Sequence, residues 1–281
     1  MGAPVSDPSR PVALRPDAPR VAPPPPGWRR VRLTVAYDGT DYRGFAAQPG
    51  VPTVAGALTE AIARVCGEDV ELACAGRTDA GVHAWGQVVS FDLPAASCGV
   101  ADLARLATGV TRLCRPSVVV RDVSVAADDF DARHSAVSRT YRYSVLASPV
   151  PDPFRVRTTW HVPVPLDLRA MTLACDPLIG EHDFSSFCRA ATRADGTPAP
   201  LVRRVVDARW VALDDDVLQF RITASSFCHQ MVRAVVGTLV DVGRGRRRAG
   251  EMMGILAAGD RNAAGQLAPP GGLCLWAVGY P

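Results

Sequence analysis

The chain has 281 residues, enough for one large domain or two of ordinary size with an ample core. Apolar residues make up 48% and charged residues 21%, which excludes disordered and fibrous classes, and no apolar run approaches the roughly 20 residues of a membrane helix. Net charge is only +3, yet all 31 basic residues are arginine, whose planar fork matches phosphate oxygens bidentately and stacks on bases.

Residues 1 to 27 carry nine prolines and almost no large apolar side chains, and read as a disordered or polyproline tail. They contain no apolar signal-peptide core, which points to a cytoplasmic protein. Folding is expected from Arg29, where Val31, Leu33, Val35 and Tyr37 alternate with polar or small residues as in a half-buried strand. Asp38-Gly39-Thr40 closes that strand, and Asp41 to Gly50 is a loop. Thr53 caps a helix whose Val54, Leu58, Ile62 and Val65 share one face and belong to the core.

The most informative stretch comes next. Val70 to Ala75 reads as a strand, Gly76 to Ala84 (GRTDAGVHA) as a loop, and Val88 to Asp92 as a returning strand. Gly76 and Gly81 allow positive φ or a close backbone approach, and between them lie Arg77 and the single carboxylate Asp79. From spacing alone Asp79 is either the cap of its own Asx-type turn or a carboxylate presented to a ligand. Asp102 to Leu113 predicts a second helix and Val118 to Val125 another strand, so the first half is α+β with helices against a mostly antiparallel sheet.

In Phe130 to Tyr143, the strand Arg139 to Tyr143 sends Tyr141 and Tyr143 to one face and Thr140 and Arg142 to the other. Such tyrosines are core residues or, interleaved with arginine, a base-stacking surface. Five prolines between 149 and 165 mark a composition shift. The domain reading is therefore a tail over 1–27, an N-terminal α+β domain over 28–148 and a C-terminal one over 149–281. A helix is predicted over Leu168 to Ile179, then a turn at Gly180 to Phe187 in which His182 and Asp183 hold the inter-domain segment, the alternative being a catalytic dyad. Asp195 to Pro200 is a surface loop, and Val202 to Ala212 with Val217 to Ala224 forms a hairpin through Asp214, Asp215 and Asp216.

Ser226 to Gly237 is an apolar helix carrying one arginine, Arg233, which needs a carboxylate if buried. Arg244 to Arg248 is either a solvated helix end or a phosphate contact. The eight cysteines, with no C-x-x-C pair, read as reduced and mostly buried, and with the five histidines they give no metal-ligand spacing. No metal is expected.

GRTDAGVHA resembles the catalytic-loop signature of the tRNA pseudouridine synthase A (TruA) family. Further blocks are similar in the family's order: FDARHSAVSRTYRY, GEHDFSSF, SFCHQMVRAVVG and the terminal APPGGLCL. The loop DYRGFAAQPG departs from the family pattern, with Phe45 and Ala46 where tryptophan and glutamine are usual. The resemblance implies two ferredoxin/RRM-like halves whose sheets join into one extended sheet, helices on one face, an active-site cleft between the halves and a homodimer that binds tRNA. It implies isomerisation of uridine to pseudouridine at positions 38, 39 and 40 of the anticodon stem-loop. By the same resemblance Asp79 is the catalytic carboxylate, Arg233 its ion-pair partner, Tyr141 the tyrosine against the target base, and Leu273 or, second, Leu275 the floor under it. Arg77, His83 and Arg139 are further candidate substrate contacts. An isomerisation needs no cofactor, and neither a Walker loop nor a G-x-G-x-x-G turn is present. Two rivals are a silent RNA-binding protein of the same fold and an aspartate-nucleophile glycosidase, for which Asp38 or Asp41 would have to supply the second carboxylate.

Overall fold

The computed structural model describes residues 21–189, 196–197, 199–213 and 216–281. The chain runs β1 (Trp28–Tyr37), α1 (Val54–Cys66), β2 (Ala73–Cys74), β3 (His83–Pro94), α2 (Val100–Cys114), β4 (Val118–Val125) and β5 (Ser138–Ala147). It continues through β6 (Trp160–Val162), α3 (Leu168–Leu173), β7 (Gly180–Asp183), β8 (Val202–Ala212), β9 (Val217–Ala224), α4 (Met231–Gly243), α5 (Glu251–Ala258) and β10 (Leu273–Gly279). The tail residues 1–20, part of the expected 195–200 loop and the tip of the β8–β9 hairpin lie outside the described residues.

All strands join one sheet in the order β4-β1-β3-β10-β5-β9-β8-β7, with β2 beside β3 and β6 beside β5. It is the mixed, mostly antiparallel α+β sheet expected from the sequence. The C-terminal strand β10 lies at its centre, parallel to β3 and antiparallel to β5. The composition shift at residue 149 falls between β5 and β6, while β5 itself is paired to β10 and β9.

Alternation decides which face the helices cover. Val31, Leu33 and Val35 of β1, Val89, Phe91 and Leu93 of β3, and Tyr141, Tyr143 and Val145 of β5 all enter one cluster. Leu58 and Ile62 of α1, Leu106 of α2, Met171 of α3 and Val235 and Leu239 of α4 belong to the same cluster, so these helices pack on one face. Each fully buried Leu or Phe there stabilises the fold by about 1.5–3 kcal/mol. The other face carries a small cluster around Ala75, Val88 and Ala132, with arginines stacked on aromatic rings.

Thr53 caps α1 as expected, accepting from the Gly56 amide at 3.2 Å. Four expectations are corrected. The strand over 70–75 shrinks to Ala73–Cys74, because the acidic stretch before it, from Glu68 to Glu71, favours turn over ladder. The helix over 168–179 stops at Leu173: Pro177 has no N–H to continue it and sits in a separate 3-10 turn, Asp176–Leu178. Gly180–Asp183, read as a turn, is an edge strand on β8. His182 bonds the Ile179 carbonyl and Asp183 accepts from Ser185, so each has its own local partner rather than the other. The fourth concerns the cysteines: Cys188 and Cys228, forty residues apart, are joined by a disulfide, while six remain free. Only the fold, which sets the turn after β7 against the approach to α4, brings that pair together.

Helix α4 can lie as close as it does because position 237 has no side chain. A Cβ on Gly237 would collide with the Gln266 carbonyl, in the segment that leads into β10. Gly237→Ala therefore pushes α4 off that segment. The expected cost is about 3 kcal/mol of overpacking, seen as a fall of roughly 6–12 °C in thermal midpoint. A midpoint within a degree of wild type would show that the helix can shift freely.

Candidate active site around Asp79

The loop between β2 and β3 is held from beneath. Tyr37, at the end of β1, is buried, and burial pushes its phenol well above the usual value against the opposing bonds from Thr78 and Gln87. It is therefore a neutral donor. Gln87 Nε2 donates to the Tyr37 hydroxyl at 3.4 Å and to the Gly76 carbonyl at 2.6 Å, leaving the Tyr37 O–H for Thr78 Oγ1 at 2.8 Å.

The segment after β1 braces the loop from the side. The Phe45 amide donates to the Thr78 carbonyl at 3.0 Å, and Gly44, at φ +100°, would place a Cβ only 3.0 Å from that oxygen. Phe45 itself is buried beside the Tyr37 ring. The departure from the family pattern there leaves a core prop rather than an exposed contact.

Asp79 consequently points away from its own loop. Oδ2 lies 3.4 Å from Nη1 of Arg233, the partner named by the resemblance. Oδ1 lies 3.2 Å from Nε2 of His229, a residue with no assigned role in the sequence reading. The Asp79 side chain is 30% exposed and that of Arg233 13%. Arg233 is fixed by a second bond, Nε donating to the Ala268 carbonyl at 2.8 Å, while the Ala268 amide donates back to the Arg233 carbonyl at 3.2 Å. The helix expected over Ser226 to Gly237 begins only at Met231, so His229 lies in the approach to α4, where helical spacing gives no signal for it.

Tyr141 is buried edge-on against Phe227, with ring centroids 5.0 Å apart. Burial raises its phenol above the ordinary range; Arg139 opposes the rise and the Asp79 charge reinforces it. The Tyr141 hydroxyl faces Gly76, where a Cβ would stand 3.8 Å away. In the register of β10 with β5, Leu275 is opposite Tyr141 and Leu273 opposite Tyr143. Leu275 is fully buried and Leu273 is 6% exposed. Asp79, Arg233, Tyr141 and Leu275 thus converge from four parts of the chain, with Leu273 one pleat along.

The remaining candidates are placed differently. Arg77 is exposed on the loop. Arg139 is buried and donates to the carbonyls of Ala75, Arg133, Ala136 and Ser225, tying the start of the loop to the end of β9. His83 is also buried. Its Nδ1 accepts from the Gly39 amide at 3.1 Å, and its Nε2 faces the carbonyls of Arg157 and Gly271 at 2.8 and 3.0 Å. Both side chains are struts in this structure rather than open contacts. Asp38 and Asp41 are engaged by Arg157 at 3.4 and 3.1 Å. Burial acts to raise the Asp38 carboxyl, but Thr40, His83 and Arg157 outweigh it and hold it below its usual value. In the Arg244–Arg248 cluster, Arg246 pairs with Asp241 at 3.5 Å and Arg247 donates to the Ala263 carbonyl at 2.9 Å, which favours the helix-end reading. A concavity of about 270 Å³ beside Leu146, Trp160 and Pro269 does not include Asp79. Its polar lining, Asp152, Thr159 and His161, belongs to the segment from 151 to 161 and includes none of the residues gathered around Asp79.

A sequence profile described as tRNA pseudouridine synthase matches residues 33–118 and 174–281. The tRNA pseudouridine synthase A of Syntrophotalea carbinolica is 43% identical over 257 residues, covering 89% of this chain and 96% of the relative. That of Brevibacillus brevis is 42% identical over 256 residues, covering 90% of this chain and 100% of the relative. The Myxococcus xanthus protein of the same name is 39% identical over 251 residues, covering 89% of this chain and 92% of the relative. With loop, ion pair and buried tyrosine in one place and the match spanning both halves of the sheet, the chain belongs to the tRNA pseudouridine synthase family.

Proposed function

We propose that the protein is an isomerase that converts uridine to pseudouridine in the anticodon stem-loop of tRNA, with Asp79 as its catalytic carboxylate. The observation that carries the reading is a partly exposed carboxylate gripped by Arg233 at 3.4 Å and set beside the buried Tyr141. In the reaction the N1–C1′ bond breaks and a C5–C1′ bond forms; C5 loses a proton and N1 gains one. A base stacked in RNA is out of reach, so the nucleotide is extruded into the site. Tyr141 lies flat against the base, with Leu273 or Leu275 beneath it. Arg233 holds the Asp79 carboxylate oriented toward the sugar or base. Arg77, exposed on the same loop, faces the RNA and contacts phosphate.

The silent RNA-binding reading does not explain why a buried guanidinium is aimed at a carboxylate in an open loop. The glycosidase reading lacks support because Asp38 and Asp41, its candidate second carboxylates, are bound to Arg157. The protein is expected to work in the cytoplasm, where tRNA is modified, as a homodimer. The uncovered sheet face supports a second copy, since Trp85 is 44% exposed there and stacks on Trp276 at 5.8 Å.

Three outcomes test this reading. Wild type releases tritium from 5-labelled uridine in tRNA and Asp79→Asn does not; activity retained by the variant would remove Asp79 from the chemistry. Arg77→Ala leaves the thermal midpoint unchanged, weakens tRNA binding and lowers the slope of log affinity against log salt by about 0.7–0.9, the value of one phosphate contact. An unchanged slope would place Arg77 away from the backbone. Sedimentation equilibrium gives a mass twice that of one chain, and a single-chain mass at micromolar concentration would exclude the homodimer.

A further inference from the structure

A carboxylate held through one oxygen can still swing about its Cβ–Cγ bond, exchanging the oxygen it offers a substrate. Arg233 holds only Oδ2 of Asp79; Oδ1 lies 3.2 Å from His229 Nε2, near enough that a small rotation of the imidazole brings Nε2–H onto it. We propose that His229 is a positioning residue for Asp79, donating Nε2–H to Oδ1 so that imidazole and guanidinium fix the carboxylate plane from both sides. The inference rests on the pseudouridine synthase reading of Asp79.

The backbone around His229 is built to hold it there. Gln230 adopts φ +67°, one of two non-glycine positive-φ residues among those described. That left-handed residue separates His229 from the first turn of α4, so its side chain need not follow the helical spiral. The His229 carbonyl accepts from the Arg189 amide at 3.0 Å, and the preceding Cys228 is bonded to Cys188. Residues 188 and 189 thus anchor the two peptide units flanking the imidazole. A side chain that were merely solvated would require neither the anchoring nor the turn.

The two donors differ in access. Arg233 is 13% exposed and approaches from the interior, whereas His229 is 43% exposed and covers the open side of the carboxylate. The Tyr141 phenol, on which the Asp79 charge acts, is kept neutral by burial. The neutral Nε2–H tautomer and the imidazolium both donate through Nε2, so the clamp does not require a cation. Holding the reacting oxygen in advance of the reaction lowers the reorganisation needed to reach the transition state, an effect on the chemical step rather than on RNA binding.

The test is single-turnover tritium release from 5-labelled uridine in tRNA, with tRNA affinity and thermal midpoint measured on the same preparations. His229→Ala is expected to lower the single-turnover rate roughly 10- to 100-fold, the range for a lost bond to a charged group, with affinity changed less than about twofold. His229→Gln, which keeps a donor, recovers the rate to within about fivefold of wild type. Equal loss in the Gln and Ala variants at unchanged midpoints, a loss confined to affinity, or no loss in either overturns the positioning role and leaves the function of Asp79 standing. If Asp79→Asn retains the wild-type rate, or wild type itself releases nothing, the functional reading fails and takes this inference with it.

Discussion

Residues 79 and 233 are contributed by opposite halves of the sheet, and the contact between them depends on how those halves are joined. Strand β10 lies between β3 and β5 and hydrogen-bonds both, so the loop before β3 and the helix after β9 stand on one continuous ladder. The segment leading into β10 also supplies the Ala268 carbonyl that fixes the Arg233 guanidinium. Removing Asp79 leaves the largely buried Arg233 guanidinium with the Ala268 carbonyl but no counter-charge, which is costlier than never having built the pair. The site and the sheet junction are therefore one structural problem.

Directly beneath the loop the supporting groups are neutral, and that division of labour has a physical reason. Tyr37, Thr78 and Gln87 form a buried network beneath it, and burial keeps both Tyr37 and Tyr141 protonated. A charge placed under Asp79 would couple to it and shift its ionisation. Hydrogen bonds between neutral groups fix the backbone without doing so. Arg233 and His229 meet the carboxylate only at its oxygens.

Much of this was legible in the sequence because its signals are local. The alternation in Val31 to Tyr37, the cap at Thr53 and the hairpin strands at 202–212 and 217–224 each follow from a few adjacent residues, and the structure has them at those places. The pairing of Asp79 with Arg233 was legible only through the family's block pattern, since 154 residues separate them. What escaped was set by the fold alone. Nothing near Cys188 signals Cys228, and nothing in the terminal segment says that its strand lies at the sheet's centre. Arg139 and His83 show the same limit from the other side: both stand in or beside matching motifs, and only their burial reveals that they bind carbonyls of this chain.

The absence of lysine sharpens that last point. A buried cation must find acceptors for all its protons, and a guanidinium offers five donors in a fixed plane where an ammonium offers three on a flexible stem. Arg139 uses that plane to gather carbonyls from four separate residues, two of its nitrogens sharing the Ala75 oxygen. Arg233 applies the same geometry in a smaller version, with Nε on the Ala268 carbonyl and Nη1 on the carboxylate. An ammonium at either place could reach more than one acceptor but, on its flexible stem, would not fix the angle between them. Arginine thus serves this chain as internal scaffolding as well as a means of meeting phosphate, so a basic residue in a matching motif has to be assigned by its burial before it is assigned to the RNA.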